Sequence, residues 1–467
     1  MTASLLIRDV EIEGRAGLDA RIEHGRIARI GRRLTGGSDE IDGGGGALIP
    51  GLVDRHIHLF ALAAQADSIV LDDVADRRAF AERIRAGAAA RPSGAWVRAT
   101  GYHESMAGAL DRSVLDALAP RHRLRVQHQT GSMWILNSLA LEAVVCDGAP
   151  PALERDDAGR PIGRLWRGDA WLRSRIGGET PPIAPIGRRL AACGITAVTD
   201  ASVTTDAAAA AGLASAARSG ELPQRLTLMG GGPLTPPADG AFRVGPVKIL
   251  LDDHALPPLD DIVATVAHAR AWGRGVAVHC VTAGELSVTL AALEMAGTRP
   301  GDRIEHGGVI PLGAIAQIKR LGLAVVTQPA FIRERGDRYL AEVEPNEQGD
   351  LYRCATLLAA GVPVAGSSDA PYASPDPWVG IAAAIERRTR DGHVLGAGER
   401  VSPAAALALY LGGTPGGPPR RVAVGAPADL CLLDAPRRSA LAAPSADRVR
   451  ATFVAGAPVF APALSAT

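Results

Sequence analysis

The sequence predicts an α/β protein, a (β/α)8 barrel accompanied by a small β-domain drawn from both chain ends. Three observations predict it. Apolar strand-like segments alternate with Ala-rich helical segments through the middle of the chain, the pattern of parallel β/α units. Short strands separated by glycine-containing turns occupy both termini. Histidine, lysine and aspartate recur at the C-terminal ends of the central strands, the end at which parallel barrels build their active sites.

The elements follow in order. Ser4–Ile12, Asp19–His24 and Arg26–Gly31 read as strands. Gly43–Gly46 is expected as a flexible crossing into Ala47–Pro50, and is not a phosphate loop because no Lys-Ser/Thr follows it. Residues 422–434 and 451–460 read as strand–turn–strand, and chain ends often lie close enough to pair. The expected division is a composite β-domain of 1–50 and 416–467 and a barrel of 51–415. Barrel strands are expected at 52–59, 96–101, 195–200, 225–230, 247–251, 275–280, 302–306, 323–328 and 362–366. Helices are expected at 260–272, 283–296, 311–321 and 351–360. The strands number one more than eight, and Arg225–Met229 is the expected surplus. Residues 103–185, with Trp134, Trp166 and Trp171, are too long for one crossover and are expected as a cap-like insertion over the barrel mouth.

Composition narrows the function classes. Fifty basic and fifty acidic residues cancel, so nothing suggests nucleic acid or an anionic membrane as a partner. Apolar runs are far short of a membrane span. Met1–Val10 alternates like a strand and lacks a basic n-region, so a cytoplasmic location is expected. Cys146, Cys193, Cys280, Cys354 and Cys431 are odd in number and widely spaced, which fits reduced, mostly buried thiols. Lys248 and Lys319 are the only lysines. A lysine within an apolar strand here asks for a specific reason, and Arg cannot replace Lys where the amine must lose its proton and react.

The chemistry gathers at strand ends. His56 and His58 close one strand, and side chains two apart on a strand share a face. His279, His306 and Asp369 end later strands, and Lys248 lies in Val247–Leu251. Four imidazoles and one carboxylate suit borderline divalent ions, zinc first, with Mn2+ or Fe2+ as alternatives. Five ligands are too many for one catalytic zinc and too few for two, unless another group bridges. An uncharged Lys248 amine can add CO2 to give a carbamate that bridges two metals about 3.5–4 Å apart.

Pro50–Leu59, Val247–Leu251, Arg303–Gly307, Gly366–Pro371 and Val424–Leu430 together resemble the amidohydrolase superfamily, in its amidohydrolase-3 branch, which includes N-substituted formamide deformylases. The similarity runs in order over nearly the whole chain. It implies a distorted (β/α)8 barrel beside a β-sandwich built from both termini. It implies a binuclear centre with His56, His58 and Asp369 on one metal, His279 and His306 on the other, and carboxylated Lys248 between them. It also points to a homodimer. The pocket departs from the family pattern. Asp252-Asp253-His254 replaces Asp-Gly-Ser after the lysine strand, and Cys280-Val281-Thr282-Ala283 replaces Ala-x-Gly-Asp. Gln129–Trp134 lacks the usual histidine, with His128 close by.

The expected activity is hydrolysis of a C–N bond in a small molecule: an amide, an N-formyl or N-acyl group, or a cyclic amide. A metal-bridged hydroxide attacks and Asp369 serves as general base and acid. The rivals are a mononuclear deaminase of the same superfamily, which Lys248 disfavours, and a non-catalytic ligand-binding scaffold. His103, Asp253, His254, Trp134 and Phe331 are candidate substrate contacts. Packing is the competing role for Trp134 and Phe331, and a polar loop for Asp253 and His254. Helix capping competes for Asp369, and a snorkelling side chain for Lys248.

Overall fold

The computed structural model of the protein describes residues 4–36, 39–71, 74–145, 148–177 and 181–461. The chain divides into two units: Met1–Leu59 with Ile183–Thr467, and Phe60–Pro182.

The first unit contains an eight-stranded parallel sheet. Its strands in chain order are β1 (Leu52–Ile57), β2 (Ile195–Asp200), β3 (Arg225–Gly230), β4 (Arg243–Ile249), β5 (Val276–Cys280), β6 (Arg303–His306), β7 (Ala324–Thr327) and β8 (Val364–Gly366). Sheet order follows chain order from β1 to β8. Strands β1, β5, β6, β7 and β8 are almost wholly buried, as expected where helices cover a parallel sheet, and β1 and β6 carry charged side chains inward with them. No regular ladder joins β8 to β1. Closure comes just past the strand ends, where the Asp369 N–H donates to the His56 carbonyl at 2.7 Å and the His58 N–H donates to the Ala370 carbonyl at 2.8 Å. The barrel is therefore tied shut beside His56, His58 and Asp369.

The strand expectations need one exchange. Arg225–Gly230 is not surplus; it pairs with both β2 and β4. The segment outside the barrel is Trp96–Tyr102, which pairs with Ile69–Val70 and Arg123–His128 in the second unit. Because β1 pairs directly with β2, all of Phe60–Pro182 is inserted in the chain between them.

The chain ends form two four-stranded sheets in the first unit. One runs from Leu5 to Asp42. In the other, Leu48–Pro50 pairs with Leu430–Leu433, beside Val449–Val454 and Ala457–Phe460. A single core, including Ile7, Val10, Ile12, Leu48, Leu432 and Phe453, lies among them. Gly43–Gly46 is not the flexible crossing expected of four glycines. The Gly43 and Gly45 amides donate to the Arg8 and Asp9 carbonyls at 2.7 Å each. A Cβ on Gly46 would sit 1.9 Å from the Leu433 carbonyl oxygen, so glycine is needed for close approach as the chain passes between sheets.

The second unit is built on a six-stranded sheet running from Ile69 to Trp166. Helix Arg77–Ala89 and the turn around Met106 pack on it, through Phe80, Ile84, Val97, Tyr102, Leu124 and Val126. Cys193, Cys280, Cys354 and Cys431 are free and buried, while Cys146 lies outside the described residues. Burial pushes the Cys193 and Cys280 thiols up to about 12. Among the described residues no helix is long and apolar enough to cross a membrane.

Candidate metal centre

His56 and His58 lie at the end of β1, with Asp54, His56 and His58 alternating onto one face. The Asp54 carboxylate accepts from the His56 and Ser368 amides at 3.1 Å each, and from the Ser368 hydroxyl. It thereby holds β1 against the segment that leads to Asp369. Burial lifts the Asp54 carboxyl to about 6, while those hydrogen bonds favour its charged form.

Asp369 lies between the two histidines and His306. Its Oδ1 is 3.1 Å from His58 Nε2 and 3.5 Å from His56 Nε2, and its Oδ2 is 3.7 Å from His306 Nδ1. Oδ1 is fully buried, yet no contact has the geometry of a hydrogen bond. Burial alone would raise this carboxyl, but the surrounding His56, His58 and His306 hold it well below the usual carboxylate range. One donor atom each from His56, His58 and Asp369 fall within 4.8 Å of one another.

The remaining residues complete the cluster. Lys248 on β4 is buried, with Nζ 3.4 Å from His56 Nε2. Burial lowers its pKa, against the opposing charges of Glu305 and Asp369. The His306 ring centroid lies 4.7 Å from that of His56 and 4.5 Å from that of His279 on β5. Against the pull of the Asp369 carboxylate, burial pushes His306 down to about 3 and His56 well below its ordinary value, which favours the neutral rings that can ligate. His56, His58, Lys248, His279, His306 and Asp369 thus form one contiguous group.

Residues not anticipated as functional fix the rings. Glu305 accepts from His56 Nδ1 and is itself paired with Arg303, all buried. Gln328, just past β7, offers Oε1 to His306 Nδ1 at 3.1 Å, and its Nε2 donates to Ser367 Oγ at 2.9 Å, which sets the amide orientation. Ser202 Oγ lies 3.1 Å from His58 Nδ1. With Nδ1 held, Nε2 of His56 and of His58 is the nitrogen left to face a metal, much as outer-shell partners orient metal-binding histidines. Backbone conformation contributes at two corners. His306 has φ 69 and Asp369 φ 57, the left-handed region that non-glycine residues enter rarely and mostly at functional sites. At His306 the turn breaks strand alternation, so that Glu305 and His306 both reach His56.

The fit to divalent metal rests on this donor set: neutral buried imidazoles, an ionised carboxylate and a buried carboxylate oxygen without a hydrogen bond.

The candidate substrate contacts each have partners of their own. Asp253 and His254 are exposed in a short turn after β4, and Asp253 accepts from the Thr282 hydroxyl at 2.9 Å. Phe331 is buried against Tyr352, with Arg335 over its ring. In the second unit, Trp134 is buried, donates its indole N–H to Asp169 at 2.8 Å and lies beneath Arg98 and Arg125. His103 caps a short helix of the second unit through the Ser105 amide.

A sequence profile of the amidohydrolase family (Amidohydro_3) matches residues 39–460. N-substituted formamide deformylase of Arthrobacter pascens is 25% identical over 476 aligned residues, covering 86% of this chain and 86% of that one. The putative amidohydrolase YtcJ of Bacillus subtilis strain 168 is 23% identical over 447, covering 81% of each. An uncharacterized metal-dependent hydrolase from Pyrococcus horikoshii OT3 shares the fold, with a TM-score of 0.67 at 18% identity over 87% of this chain and 92% of that one.

Proposed function

The chain belongs to the amidohydrolase family of metal-dependent hydrolases, and on that premise we propose that it hydrolyses the C–N bond of an N-formyl or N-acyl amine or a cyclic amide at a binuclear metal centre. The observation that carries the reading is the buried Lys248 amine set 3.4 Å from His56 Nε2, within a ring of neutral imidazoles and one ionised aspartate. His56, His58 and Asp369 would hold one ion, His279 and His306 the other, with a carbamate on Lys248 between them. Zinc suits the donors first, and Mn2+ or Fe2+ remain compatible.

The carbamate requires an uncharged amine, which burial favours at Lys248. Nζ forms a C–N bond to CO2 and releases a proton to solvent. Bound metals lower the pKa of water toward about 7 and polarise a carbonyl. The chain's own residues do the rest. Asp369, held ionised, takes the proton of the attacking water on its carboxylate and delivers it to the departing nitrogen, so that a carboxylic acid and an amine leave. Glu305, Gln328 and Ser202 keep the imidazoles from rotating.

The test is turnover of metal-loaded protein on a panel of N-formyl amines, N-acyl amines and lactams. Acid and amine should appear in equal amounts, and Asp369→Asn should lose on the order of 10³ or more in kcat while keeping its fold. Ammonia released from an amidine-like ring, with one metal per chain, would place the protein with the deaminases instead.

A further inference from the structure

A second convergence of metal-type donors lies wholly within the inserted unit. Trp96–Tyr102 and Arg123–His128 are parallel neighbours with Tyr102 opposite His128, so His103 and His128 emerge side by side at the C-terminal ends of adjacent strands. Their ring centroids are 5.6 Å apart. Glu104 Oε2 is 3.1 Å from His128 Nε2 and 4.0 Å from His103 Nε2. One donor atom from each of the three residues lies within 4.8 Å of the others.

Both rings are anchored by the same device. His103 Nδ1 is 2.9 Å from the Ser105 hydroxyl, and His128 Nδ1 is 2.8 Å from the Thr130 hydroxyl, in each case two residues on. The Ser105 and Thr130 amides reach the same Nδ1 atoms at 3.2 and 3.3 Å. Two states compete. When Nδ1 accepts from the amide, Nε2–H faces the Glu104 carboxylate. When the proton sits on Nδ1 and is donated to the hydroxyl, the amide gives up that nitrogen and Nε2 presents a lone pair. The second state turns two imidazoles and one carboxylate toward a common point, a donor set that zinc takes with water in a remaining position.

We propose that His103, Glu104 and His128 form a second cation site, for Zn2+ or the related borderline ions Co2+ and Ni2+. The cation ties together the ends of two neighbouring strands, and its binding stabilises the inserted unit by mass action. The site does not depend on the barrel chemistry.

The experiment uses the full-length chain, stripped with a chelator and titrated with Co2+, reading metal per chain and the visible absorption of the bound ion. Glu104→Gln, nearly isosteric, and His128→Asn should each bind one equivalent less than the unaltered chain. His56→Ala should lower the barrel's share and leave that equivalent in place, so failure of this site and failure of the barrel reading are told apart. Equal cobalt per chain and an identical spectrum in the unaltered chain and Glu104→Gln would overturn the proposal and leave the trio a hydrogen-bonded clamp. Glu104→Gln decides the matter if His128→Asn does not fold.

Discussion

Two histidine–carboxylate clusters in this chain differ in how they are held. In the barrel unit, His56 is fully buried, and the fixed ring nitrogens of His56 and His306 meet Glu305 and Gln328, which are buried as well. In the inserted unit, the rings are held by hydroxyls two residues along the chain, and Glu104 is exposed. Partners from other strands make the first cluster a rigid product of the fold. Local turns make the second adjustable. A catalytic centre needs ligands fixed before the metal arrives, whereas an ion that only ties two strand ends together does not.

The comparison can be broken at the barrel first. Lys248→Ala removes the proposed bridging group, so bound metal should fall by about half or more and turnover should fall with it. A short-chain carboxylate added to the medium should restore part of both. Metal analysis and rate measurements on the same sample check this, and unchanged metal content would contradict the bridging role.

Glu305→Gln is a subtler perturbation. It leaves an acceptor for His56 Nδ1 but removes the charge and the pairing with Arg303. Metal affinity should drop about 10- to 100-fold, read by chelator competition, and the rate should recover at saturating metal. A rate that stays low with both metals in place would show that Glu305 does more than orient a ligand.

The smallest expected effect is in the inserted unit. Trp134→Phe deletes the indole N–H donated to Asp169. It should cost about 1–2 kcal/mol of stability, seen as a lower unfolding midpoint, with KM unaltered. A raised KM without loss of stability would instead make Trp134 a substrate contact.

The barrel cluster was legible in the sequence because strand ends are legible. Parallel strands of similar length bring their C-terminal residues to one rim, so His56, His58, His279, His306 and Asp369 could be collected without knowing any distance. Gln328 was open to the same rule, since it stands just past β7, but is not among the expected residues. Glu305 was not open to it, because strict alternation sets it on the opposite face from its neighbour His306. The left-handed backbone at His306 is what defeats that alternation. The exchange of Trp96–Tyr102 for Arg225–Gly230 has a different cause. Both are short, half-apolar segments, and periodicity marks a strand without saying which sheet it joins.

The central claim is that six residues of the barrel unit hold two metal ions bridged through Lys248. Anomalous diffraction at the metal edge from metal-loaded crystals tests it most directly. Two peaks within the cluster of His56, His58, His279, His306 and Asp369, about 3.5–4 Å apart, with carbamate density extending from Lys248 Nζ between them, is the predicted result. A single peak beside an unmodified Lys248 amine turned away from it would contradict the account.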